Sequence, residues 1–72
     1  MKKIKKIKIR VNGKVKSISE DYKMLDLVKN LKIPIEKVAI ELNQEIINKK
    51  NISKIILQKN DKIEIVHFIG GG

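Results

Sequence analysis

Seventy-two residues with 42% hydrophobic content, two aromatic side chains (Tyr22 and Phe68) and a formal net charge of +9 make a single small domain with an aliphatic core. The absence of cysteine excludes a disulfide scaffold, a thiolate metal site and a cysteine nucleophile carried by this chain. No apolar run approaches the roughly 18 residues that span a bilayer, and the lysine-rich start lacks the apolar stretch of a signal peptide. A cytoplasmic protein with no membrane partner is therefore expected.

Lys6 to Val11 alternates strictly, placing Ile7, Ile9 and Val11 on one face and cations on the other, which predicts a half-buried strand. Asn12-Gly13 ends it, the pair that best tolerates the positive φ angles of a tight hairpin. Lys14 to Ile18 returns antiparallel, with Val15 and Ile18 as its apolar content. From Met24 the period becomes helical. Met24, Leu27, Val28 and Leu31 fall at i, i+3, i+4 and i+7, with Leu25 beside them and Asp26, Lys29 and Asn30 opposite, which predicts a helix of about ten residues. Pro34 biases Ile33 away from helical angles and forces the helix to end before it.

Val38 to Leu42 reads as a third strand, more buried than the first because Glu41 is its only charge. Asn43-Gln44 is a turn and Glu45-Ile46-Ile47 a short strand. The apolar residues Ile52 to Leu57 are too few to be typed as helix or strand. Asn60-Asp61 makes another turn, and the last strand runs from Lys62 to about Phe68, followed by Gly70-Gly71-Gly72. The order strand, strand, helix, strand, strand, strand is an α+β arrangement, with a mixed sheet of about five strands and one helix packed on one face. One short helix leaves the other sheet face polar or available to a partner.

The charge is ambiguous. Seventeen Lys and Arg against eight Asp and Glu could draw nucleic acid or anionic lipid. Yet the lysines are spread along the whole chain, and the aromatic platforms that stack bases are missing. The densest stretch, Lys2, Lys3, Lys5, Lys6 and Lys8, reads as a solvated strand edge, where lysines discourage edge-to-edge pairing. No specific nucleic-acid partner is expected.

The ββαββ order, the segment Val38-Ala39-Ile40-Glu41-Leu42-Asn43 and the ending from Asp61 through His67-Phe68-Ile69-Gly70-Gly71-Gly72 resemble the thiamine-biosynthesis sulfur carrier (ThiS) family, small ubiquitin-like β-grasp proteins. The resemblance covers the whole chain and is densest over its second half. It implies a β-grasp body over residues 1–69, a flexible tail over 70–72 and a carrier rather than an enzyme. In that family an ATP-dependent, E1-like activating enzyme adenylates the C-terminal carboxylate. The adenylate becomes a thiocarboxylate at the expense of a sulfur-donor protein, and the sulfur passes to thiazole synthase. Carried onto this chain, the sulfur-bearing group is the carboxylate of Gly72, with Gly71 and Gly70 completing the tail motif. ATP is then used by the partner, and no cofactor or metal is expected on the chain itself. The N-terminal segment Lys2 to Lys6 has no clear counterpart in the family pattern.

The residues suit that chemistry. A free carboxylate resists nucleophiles, and adenylation supplies a leaving group. Glycines let a terminus thread into another protein's active site with unusual backbone angles and no side chain in the way. His67, the sole histidine, has no cysteine or second histidine to build a metal site and reads as a strand-surface residue. On the last strand Ile63 and Ile65 share a parity with His67, and Val66 and Phe68 share the other with Glu64. If the first set faces the helix, Val66, Phe68 and Ile69 are candidates for docking a partner beside the tail. If the strand twists, Phe68 closes the core instead. The molybdopterin synthase small subunit and a tRNA-thiolation carrier share the same logic, although the former commonly has prolines before its glycines and residues 63–69 contain none. A basic RNA-binding module would leave the glycine ending unexplained.

Overall fold

The computed structural model describes residues 5–68. Lys2, Lys3, Ile69 and the tail glycines, and with them the expected boundary between body and tail, lie outside the described residues.

Strand β1 (Lys6–Val11) pairs antiparallel with β2 (Lys14–Ser19), in register Ile7 to Ile18 and Arg10 to Val15. Asn12 and Gly13 join them at φ +49° and +82°, the double left-handed geometry of the hairpin turn the pair predicts. The two apolar residues of β2 face opposite ways. Val15 sits opposite Arg10 on the outer face and is 58% exposed, so Ile18 alone carries this strand into the core.

Helix α1 (Met24–Asn30) is seven residues, a turn shorter than its apolar spacing predicts. Its C-terminal turn explains why. Ile33 N–H donates to the Val28 carbonyl (3.0 Å) and Lys32 N–H to that of Lys29 (3.1 Å), with Lys32 at φ +55°. This 6→1, 5→2 pairing closes a helix before the chain reaches Pro34. Leu31 thus becomes the C-cap, 40% exposed, instead of the last member of the buried stripe.

At the other end, Lys23 N–H donates to Asp26 Oδ2 (2.9 Å). The next two amides are held from far along the chain, Met24 N–H by the Ile55 carbonyl (2.9 Å) and Leu25 N–H by that of Ile52 (3.1 Å). Residues 52–57 are therefore a bent segment that caps the helix, with Ile52 and Leu57 buried and Ile56 bridged to Lys23.

Strand β3 (Val38–Leu42) follows a 3-10 turn at Ile35–Lys37, and the turn Asn43-Gln44 leads into β4 (Glu45–Ile46), one residue shorter than expected. A second 3-10 turn, Lys49–Asn51, precedes the capping segment, and the last strand is β5 (Lys62–His67). The sheet order is β2-β1-β5-β3-β4. The last strand is thus central, parallel to β1 (Arg10 to Lys62) and antiparallel to β3 (Ile40 to Ile65, Val38 to His67). Beyond Val11 the ladder between β1 and β5 is continued by a side chain: Asn12 Oδ1 accepts from Ile65 N–H at 2.7 Å.

Eleven of the described residues form the core: Ile9, Ile18, Met24, Leu27, Val28, Val38, Ile40, Ile52, Leu57, Ile63 and Ile65. Among the described residues no polar or charged side chain is buried. The helix and capping segment cover one sheet face, and the other is open.

Candidate functional site: the open sheet face and the end of β5

Directly paired residues share a face of a sheet, so the register assigns the open face residue by residue. Lys6, Lys8 and Arg10 of β1 and Lys62 of β5 make a cationic half, in register with Val15, Ser17 and Ser19 of β2. Glu41 and Glu64 then stand opposite each other across β3 and β5. Like charges placed this way repel, and on an exposed face water screens them. Beyond them lies an apolar half. Val66 is 50% exposed opposite Ala39, Ile46 is 75% exposed opposite Glu41, and Phe68 is 54% exposed just past the strand.

The strand parity resolves the two expectations for Phe68. Ile63 and Ile65 are buried beneath the helix, while Glu64, Val66 and Phe68 are exposed. His67 shares the parity of the isoleucines yet is also exposed, as expected of a strand-surface histidine. Among the described residues no group of three or more His, Cys, Asp or Glu side chains is placed to hold a metal ion. No helix among them is long and apolar enough to cross a membrane.

Phe68 is held from two sides. Its N–H donates to the Lys37 carbonyl at 2.9 Å, which extends the β3–β5 ladder by one bond. Its ring lies under the ammonium of Lys49, with Nζ 5.4 Å from the ring centroid. The same Nζ donates to the carbonyls of Ile35 (3.0 Å) and Val38 (2.8 Å). Val66 and Phe68, docking candidates of the sequence, are both exposed, and Ala39, Ile46 and Lys49 join them without having been singled out. Two adjacent isoleucines in the expected strand, Ile46 and Ile47, point to opposite faces, a signal for one exposed isoleucine there; nothing local marks Lys49, one lysine in a polar run. Ile69 and Gly70 to Gly72 follow directly on this surface in sequence, outside the described residues.

Comparison with known proteins matches the ThiS family over residues 9–72, all but the first eight residues. The chain belongs to the ThiS family. It is 38% identical over 65 residues to the sulfur carrier protein ThiS of Bacillus subtilis, covering 89% of this chain and 98% of that protein. The ThiS crystal structure from Geobacter metallireducens, a thiamine biosynthesis protein, superposes with a TM-score of 0.80 at 29% identity, covering 92% of this chain and all of that one. This confirms the β-grasp arrangement, with its five-stranded mixed sheet and single helix. The thiazole synthase of Magnetococcus marinus is 36% identical over 66 residues, and there the chain spans 92% of itself but only 20% of its relative.

Proposed function

We propose that this chain carries sulfur for thiamine biosynthesis on the carboxylate of Gly72. The observation that supports the reading most is membership of the ThiS family over a match that runs through Gly72. In the proposed sequence the carboxylate oxygen attacks the α-phosphorus of ATP on an adenylating partner and pyrophosphate leaves. Hydrosulfide-level sulfur released by a donor protein then attacks the acyl carbon and displaces AMP, leaving a thiocarboxylate. Thiazole synthase accepts the sulfur, and an oxygen from water or from its substrate restores the carboxylate. ATP stays with the activating enzyme, the chain needs no cofactor of its own, and the reaction sequence is cytoplasmic.

Two features support these partners. A region similar to this chain forms 20% of the thiazole synthases of Magnetococcus marinus and Paramagnetospirillum magneticum, so a carrier-like segment and the synthase share one polypeptide there. The exposed Val66 and Phe68 lie immediately before the tail, where a body must dock for its terminus to reach a nucleotide site. An extended residue spans at most about 3.3–3.6 Å, so Ile69 to Gly72 carry the carboxylate only roughly 13 Å beyond Phe68. Ile69 is the third docking candidate.

The test is incubation with the adenylating enzyme, ATP and a sulfur source, followed by intact-mass measurement. One oxygen-for-sulfur exchange at Gly72 is expected. Deleting Gly72 or appending one residue after it should abolish the gain without disturbing the fold. Full activation of the extended chain without trimming would refute the reading.

A further inference from the structure

We infer that Lys49 is a positioning residue for partner docking: its ammonium clamps the Phe68 ring and so fixes the surface from which the tail departs. The inference rests on the carrier reading above and adds to it a residue that strand parity alone does not reveal.

The geometry is that of a satisfied ammonium. Lysine carries three N–H donors. Two are taken by the carbonyls of Ile35 and Val38, at 3.0 and 2.8 Å, and the ammonium also lies 5.4 Å from the Phe68 ring centroid. That separation is within the range where a cation is drawn to the negative face of an aromatic ring. Between the two carbonyls in sequence, the Lys37 carbonyl accepts the Phe68 backbone N–H at 2.9 Å. The short stretch from Ile35 to Val38 therefore holds both the backbone of Phe68 and the lysine that holds its ring.

An exposed phenylalanine without such a clamp would sample several rotamers, and a partner would have to immobilise it on docking. Lys49 holds the ring beforehand. Because the Val38 carbonyl belongs to β3, which pairs with β5, and the Ile35 carbonyl to the 3-10 turn that leads into it, the clamp ties the ring to the sheet rather than to a loose loop.

The experiment compares Lys49→Met, which keeps most of the stem and removes the ammonium, with Lys49→Arg, which keeps the charge and its donors. Two readouts are needed. In NMR spectra of the full chain, Lys49→Met should shift the Phe68 ring protons and speed exchange of the Phe68 amide, and Lys49→Arg should do neither. In ATP–pyrophosphate exchange with the adenylating enzyme, Lys49→Met should raise the KM for the carrier about three- to tenfold at unchanged kcat. Lys49→Arg should restore the KM, and Lys49→Met should add nothing in a Phe68→Ala background.

Unchanged ring shifts in Lys49→Met would overturn the clamp. A KM that still rises in the Phe68→Ala background would overturn the positioning role, because Lys49 would then meet the enzyme directly. If the wild-type chain supports no exchange at all, the carrier reading fails and the docking half of the inference with it. The ring shifts decide the clamp independently.

Discussion

Phe68 is the residue on which the structure and the proposed function meet. An aromatic side chain 54% exposed contributes little to the core, so Phe68→Ala should cost well under the roughly 3–5 kcal/mol of a buried phenylalanine while weakening docking to the adenylating enzyme. A thermal melt and a binding titration on the same variant check this. A large loss of stability at unchanged affinity would contradict the surface assignment. Tyr22, the other aromatic, makes a different prediction. Its hydroxyl reaches the Asp26 backbone carbonyl at 3.3 Å. Partial burial, and then the Asp26 carboxylate, raise its pKa above the ordinary 10.0. A folded-state pKa above the unfolded one means that the stabilisation is complete at neutral pH and is lost as pH rises through the folded value. Absorbance titration of this single tyrosine should give a midpoint above that of the denatured chain, and melting temperature should fall on the alkaline side.

Helix α1 shows which kinds of local structure a sequence can carry. Its stripe of Met24, Leu27 and Val28 was legible as a period, and the turns at Asn12-Gly13 and Asn43-Gln44 as residue types that accept positive φ. Its start at Met24 and its end before Pro34 were legible too, but not the groups that cap it or the residue on which it stops. The N-terminal amides of Met24 and Leu25 are satisfied by carbonyls of Ile55 and Ile52, roughly thirty positions away, and no local pattern encodes such a cap. For the same reason residues 52–57 could not be typed, since their hydrogen bonds go to another element rather than to each other. Lys49 escaped notice likewise, its acceptors lying on a different element. At the C-terminus, Lys32 occupies at φ +55° the position where glycine is usual. A lysine there carries a steric penalty of about 1–2 kcal/mol that glycine avoids. Lys32→Gly should therefore stabilise the fold by about 1 kcal/mol, less what glycine adds to the freedom of the unfolded chain, and raise the melting temperature by a few degrees. A lowered melting temperature would show that the Lys32 side chain makes compensating contacts.

At the scale of the whole molecule, the open face divides into a cationic half, an acidic pair and an apolar half that ends at Phe68. The +9 charge is spread rather than gathered around stacking aromatics. Binding to nucleic acid should accordingly be weak, indifferent to sequence and lost at moderate salt, which a titration of labelled oligonucleotide against ionic strength would read. Tight selective binding at physiological salt would give the cationic half a role of its own. The α+β class and the shared parity of Val66 and Phe68 followed from hydrophobic spacing; that this parity faces outward came from the structure. The placement of β5 between β1 and β3 came from it too, because pairing partners distant in sequence leave no local trace. That placement bears on how the protein is made. The strand synthesised last fills the middle of the sheet, and Arg10 finds its partner only when Lys62 has emerged from the ribosome. Until then the two halves of the sheet have no common strand, so the sheet closes only once β5 has been made. A chain cut short before β5 lacks this keystone strand and is left for proteolysis.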